Sequence, residues 1–264
     1  MPARKKRGTD QARMSLAEHL IELRKRLFIA GIAVLVGSVA GFIVSQFILD
    51  ALRGPILVIA QSRNAVLNYG TITGAFDVLI QIAVTVGIVI SSPVWLYQIF
   101  AFIVPGLTKR EKRYTFGFFF SAVPLFLLGC AAGWFVFPHI VAVMAGFVPE
   151  EDANITETKA YLDLVLKLVL AVGVAFVLPV FLVLLNFLGV MSAVTIIKGW
   201  RVAILLIAVF SALATPAADV VSMFLLAIPM VFLYFVAAGI AWLHDRAAAK
   251  KLKAFDDELN TASA

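Results

Sequence analysis

Residues 15–27 read SLAEHLIELRKRL, and the way this stretch meets the apolar run behind it decides the fold. Ser15 followed by Glu18 has the form of a capping box: the hydroxyl accepts from the third helical N–H, and the carboxylate returns to the Ser15 N–H. The spacing therefore predicts a helix starting at Ser15. At roughly 100° per residue, Leu16, Leu20, Leu23 and Leu27 fall on one stripe, with Glu18, Glu22 and Lys25 opposite. One face suits lipid and the other water, so a short charged helix is expected to meet the membrane here and lead into it.

Composition sets the class. Of 264 residues, 62% are hydrophobic and 14% charged, with a mean hydropathy of +1.00. Soluble domains carry about 25% charged residues, so this is read as a membrane protein. The net charge of +6 is then a matter of topology and of attraction to anionic lipid. No DNA-binding motif competes with that reading, and no nucleic-acid partner is expected. The single cysteine, Cys130, lies in an apolar run and reads as a small buried hydrophobe. The first apolar stretch is longer than a secretory h-region and is expected to remain as an anchor.

Apolar runs cover about 27–49, 76–103, 114–138 and 161–187, each long enough for the roughly 20 residues that cross a bilayer. The run from Trp200 to Ala214 spans only about 22 Å as helix, against a hydrocarbon core of about 30 Å. Residues 215–218 separate it from a last run ending near Leu243. Charge fixes the parity. Basic residues gather before the first run (Arg4, Lys5, Lys6, Arg7, Arg13, Arg24, Lys25, Arg26), after the second (Lys109, Arg110, Lys112, Arg113) and after the last (Arg246, Lys250, Lys251, Lys253). These belong on the cytoplasmic side. The acidic segment 139–160 belongs outside. With both termini inside the span count is even, which makes Trp200 to Leu243 two short helices joined by an external hairpin. The expectation is an all-α polytopic bundle of six transmembrane helices. Residues 1–14 form a basic tail, 15–243 the membrane domain with its amphipathic helix at 15–26, and 244–264 a second cytoplasmic tail.

Gly37 and Gly41, and Gly129 and Gly133, recur at helix spacing and favour close backbone packing within the chain. Pro93, Pro124, Pro179 and Pro229 lie inside spans and are expected to bend them. Nothing resembles an enzyme: there is no H-E-x-x-H, G-x-S-x-G or P-loop, and His19, His139 and His244 are too dispersed for a metal site. Neither cofactor nor catalysis is expected. Glu111 is the one carboxylate in the basic loop 109–113, and Glu22 has Arg26 four residues on. From spacing alone, both read as local charge compensation. Gln98 and Phe102 share a helix face just before that loop. Asp163 and Lys167 form an acid-first pair at the outer end of span four, expected to snorkel to the surface. Asp219 follows Thr215-Pro216 and reads as a first-turn carboxylate.

Four blocks in this six-span frame resemble the TatC family, the signal-peptide receptor subunit of the twin-arginine protein translocase. They are His19-Leu20-Ile21-Glu22-Leu23-Arg24-Lys25-Arg26-Leu27; Tyr97-Gln98 through Phe102 to Pro105 and on to the loop 108–113; Phe176 to Pro179; and Thr215-Pro216 through Asp219 to Ala227-Ile228-Pro229. The resemblance covers about residues 15–243. It implies a cupped helical bundle in the cytoplasmic (inner) membrane. It also implies a role for Glu22 and Glu111 in recognising the paired arginines of signal peptides, with Gln98 and Phe102 as secondary contacts. Asp219, Pro179 and Pro105 are carried over as structural or assembly positions. The implied partners are TatA- and TatB-type single-span proteins and folded precursors bearing twin-arginine signals, with transport driven by the proton-motive force. Where many members carry intramembrane glutamates, this chain has Val177 and Phe235. The competing reading is a secondary carrier for a small solute. Carriers place substrate sites at the midplane, often between inverted repeats; no such repeat is visible, and the spans hold almost no central ionisable residue.

Overall fold

The computed structural model describes residues 16–63, 66–68, 71, 73–103, 109–146, 155–214 and 220–262. Ser15 with its capping box, Pro105, and the segment 215–219 that includes Asp219 lie outside the described residues.

Eight helices occur among the described residues: α1 (Leu16–Arg63), α2 (Gly74–Ile90), α3 (Ser92–Ile103), α4 (Lys109–Gly146), α5 (Thr158–Phe187), α6 (Ala193–Lys198), α7 (Trp200–Ala214) and α8 (Val220–Ala262). α1, α4, α5 and α8 are each long and apolar enough to cross a membrane, α2 and α3 together form one bent span, and α7 is the short apolar helix. The six-span, all-helical membrane bundle follows. The opening amphipathic helix and the first span are one continuous rod of 48 residues, about 72 Å at 1.5 Å per residue. Leu20, Leu23 and Leu27 are exposed along it, as a lipid-facing stripe should be.

The helix axis turns by 57° between α2 and α3. Two serines, Ser91 and Ser92, precede Pro93 there, and proline has no N–H to continue the ladder. The Trp95 indole donates to the Ile88 carbonyl across the bend at 2.9 Å and braces it. Pro124, Pro179 and Pro229 lie inside α4, α5 and α8, which continue through them as helix. α7 has the expected 15 residues. α8 is not short, because it continues past Leu243 for 43 residues in all; its Ala-, Lys- and Leu-rich continuation consists of good helix formers. Two three-residue strands were not anticipated. β1 (Val66–Asn68) pairs in parallel with β2 (Ile155–Glu157), Val66 opposite Ile155, which ties the segment after α1 to the one before α5.

Close helix crossings depend on the glycines. A Cβ on Gly37 would lie 2.7 Å from the Gly87 carbonyl oxygen, and one on Gly129 would lie 2.8 Å from that of Val172. Both glycine pairs therefore serve packing within the chain, α1 on α2 and α4 on α5. α5 is the central helix. Its N-terminal half joins Leu52, Ile82, Phe137 and Leu226 in one core cluster, and its C-terminal half joins Leu96, Phe100 and Phe126 in a second. A third cluster seats α6 on α8 through Ala193, Ile196, Tyr234 and Ala241.

Candidate functional site

The start of α1 crosses the end of α3, and three of the residues singled out in the sequence meet at that crossing. His19, Glu22 and Arg26 are three and four apart, hence on one face of α1, and α3 presents Gln98 and Phe102 one turn apart. Arg26 donates through both Nε (2.9 Å) and Nη2 to Glu22 Oε1. Its remaining terminal nitrogen, Nη1, donates to Gln98 Oε1 at 3.3 Å. One turn earlier the His19 ring stacks on Phe102, with centroids 4.4 Å apart and planes 24° apart. The two contacts fix the pitch of α1 against α3.

This arrangement leaves Glu22 half used. Both Arg26 donors go to Oε1, while Oε2 is shielded from solvent and has no hydrogen-bond partner among the described residues. An ionised carboxylate oxygen without a partner is costly, and a carboxylate accepts a guanidinium best through both oxygens. The Glu22 side chain retains 21% exposure and lines an open groove of about 480 Å³ with Glu18, Ile21, Lys25, Arg26 and Gln98. A cationic group entering this groove meets a part-exposed carboxylate already paired on one oxygen, an amide and apolar side chains together, and it reaches Oε2 only by turning the carboxylate.

The other candidates sit elsewhere. Glu111 lies in the first turn of α4, and its side chain lies outside the described residues. Pro179 is in the C-terminal third of α5, between an apolar groove toward α4 and another toward α7. Val177 is buried in the core cluster shared by α3, α4 and α5, and Phe235 is half exposed on α8. On the opposite end of the bundle, Lys167 donates to Asp163, which also accepts from Gln81 of α2, and Lys159 pairs with Asp77 at 2.9 Å. Asp163 and Lys167 thus form the i,i+4 pair expected, with Lys167 exposed. No group of three His, Cys, Asp or Glu side chains among the described residues is placed to hold a metal.

Two contacts were missed by sequence reasoning. Arg26 to Gln98 and His19 to Phe102 bridge 72 and 83 positions of sequence, which no local periodicity reports. A signal existed for His19, on the same helix face as Glu22 and Arg26.

The chain is similar to known proteins along most of its length. The family model for the Sec-independent protein translocase protein TatC matches residues 18–229. The TatC protein of Xylanimonas cellulosilytica is 43% identical over 241 residues, 90% of this chain and 87% of that one. The TatC protein of Rothia mucilaginosa is 37% identical over 98% of this chain and 92% of its own. A crystal structure of the twin arginine translocase receptor TatC in DDM superposes with a TM-score of 0.74 at 33% identity, covering 85% of this chain and 99% of that one. With the same fold in a solved structure and similarity along most of its length, the chain belongs to the TatC family of Sec-independent protein translocase proteins.

Proposed function

We propose that this chain is the receptor subunit of a twin-arginine translocase, and that the crossing of α1 and α3 is where it reads the arginine pair of a signal peptide. The observation that carries this reading is the Glu22 carboxylate, only half used by Arg26, whose part-exposed side chain lines an open groove beside Gln98. One guanidinium of the pair takes Glu22. The other takes Glu111, which opens α4 on the far side of the segment following α3. Guanidinium forks match carboxylates in a way that ammonium groups do not. The work is binding, with no bond made or broken. Basic segments before α1 and at the start of α4 support a cytoplasmic placement of this end and of both termini, in the inner membrane. TatA- and TatB-type single-span proteins and folded precursors are the partners, and the proton-motive force drives transport.

A photo-reactive residue at Gln98 tests the site. It should form an adduct with a twin-arginine precursor, and a Lys-Lys version of that precursor should lose most of it. Equal adducts with both precursors would overturn the assignment of the groove to arginine recognition.

A further inference from the structure

From the apolar cavity between α5, α7 and α8 and the exposed cations next in sequence to its wall residues Gly199 and Val202, we infer that this chain binds an anionic phospholipid, with one acyl chain in the cavity and the headgroup at Lys198 and Arg201. The cavity holds about 550 Å³. α7 packs chiefly on α8 and barely on α5, so a slot remains between Leu178 and Leu182 on one side and Val202 and Leu206 on the other. Leu178, Val202 and Leu206 are all more than half exposed, so the slot opens sideways into the bilayer. Of its few polar groups, the Tyr234 hydroxyl donates to the Ile196 carbonyl and Thr195 Oγ1 pairs with Ser192 Oγ at 2.9 Å. The walls ask for hydrocarbon.

One end of the slot carries charge. α6 is held against α8 by Asp245, whose Oδ2 accepts from the Ala193 N–H at 2.7 Å and whose Oδ1 accepts from Asn186 at 3.0 Å. α6 therefore presents Lys198 at a fixed place, immediately before Gly199 of the cavity wall. Arg201 stands three residues on, adjacent to the wall residue Val202, with its guanidinium 5.6 Å from the Trp200 ring centroid. Both cations are exposed, and neither has a carboxylate partner among the described residues. Two free cations and an exposed tryptophan mark a headgroup-level surface. Size decides between a chain and a helix as occupant. A helix of about 10 Å diameter and the roughly 22 Å length of α7 fills about 1,700 Å³, three times the cavity, whereas a single acyl chain is a slender rod that needs far less width. A zwitterionic lipid would satisfy the slot and leave the cations unused, so the ligand is anionic.

Native mass spectrometry of the purified chain in detergent, titrated with phosphatidylglycerol or with phosphatidylcholine of matched chains, tests this. The wild-type chain should retain one phosphatidylglycerol at a concentration at least fivefold below that needed for phosphatidylcholine. Lys198→Gln with Arg201→Gln should abolish the preference, both being surface changes. Leu206→Trp, at a position 60% exposed, should fill the slot and weaken retention of both lipids without lowering thermal stability. Equal retention of the two lipids by the wild type, a preference that survives the double substitution, or unaltered binding by Leu206→Trp would each overturn the site. So would a photo-reactive residue at Leu206 that captures a protein instead of lipid in native membranes.

Discussion

Arg26 places two of its N–H groups on one oxygen of Glu22 and leaves the other oxygen, Oε2, unpartnered among the described residues beside an open groove. The chain's own arginine thus occupies half of the carboxylate that a signal-peptide arginine would need. An ion pair with both side chains about one-fifth exposed is worth about 0.5 to 1 kcal/mol, and an incoming guanidinium must overcome that pairing as well as like-charge repulsion. Arg26→Gln should therefore tighten binding of an Arg-Arg signal peptide about two- to fivefold in an equilibrium titration. The gain should vanish in a Glu22→Ala background. Weakening by Arg26→Gln to the level of Glu22→Ala would mean that Arg26 holds the carboxylate in place instead of competing for it.

Glycine 87 makes the sharpest packing case. An added Cβ there would sit 2.7 Å from Ser38 Cα on α1, a backbone atom that cannot swing aside. Gly87→Ala should push α1 off α2 and destabilise the fold by about 1 to 3 kcal/mol, the usual range for overpacking. Gly31→Ala is the control, since nothing lies within 4 Å of a Cβ at that position. Unfolding in detergent should separate the two variants, and indistinguishable stabilities would show that the α1–α2 crossing tolerates a wider spacing.

How much of this was legible in the sequence varies with the range of the interaction. The long apolar helices follow from apolar run length, a local quantity, and the structure has them at α1, α4, α5 and α8; the parity of the bundle rests on the placement of basic residues. The glycine pairs carried their own message because helix spacing puts them on one face. The break after Ser91 was half visible: Pro93 suggested a bend, but nothing local marks it as the proline that interrupts the helix while Pro124, Pro179 and Pro229 stay within theirs. The long reach of α8 is hidden because the charges after Leu243 end an apolar span and yet belong to a sequence of good helix formers. β1 with β2, Arg26 with Gln98, and His19 with Phe102 join residues 72 to 89 positions apart, and no periodicity encodes such pairs.

Asp245 is the fastening of α6. Its carboxylate takes the Ala193 N–H and the Asn186 amide, while His244 stacks on Phe187 with centroids 3.8 Å apart and reaches Asn186 Oδ1 at 3.2 Å. A hydrogen bond to a charged group contributes about 1.5 to 3 kcal/mol, more than a six-residue helix supplies for itself. Asp245→Ala should raise amide hydrogen exchange across residues 193–198 at least tenfold while leaving α2 and α4 protected. Asp245→Asn, which keeps one acceptor, should fall between. Unchanged exchange in the alanine variant would assign the seating of α6 to Ile196 and the Tyr234 hydroxyl alone.

The last prediction concerns α7. Its 15 residues extend about 22 Å, some 8 Å short of a typical hydrocarbon core of about 30 Å. The exposed Leu205, Leu206, Val209 and Leu213 give it a lipid-facing surface, so the mismatch falls on the bilayer, which must thin beside α7. Thinning lowers the barrier to moving a folded protein across at that place. Inserting four leucines between Ile204 and Leu205 adds about 6 Å and turns the downstream helix by only about 40°, so the face that carries Ser211, which contacts Met230, still points toward α8. Signal-peptide binding should be retained, because Glu22 and Gln98 lie on α1 and α3, whereas export should fall severalfold. Export at the wild-type rate by a stably inserted variant would remove local thinning as the reason for the short helix.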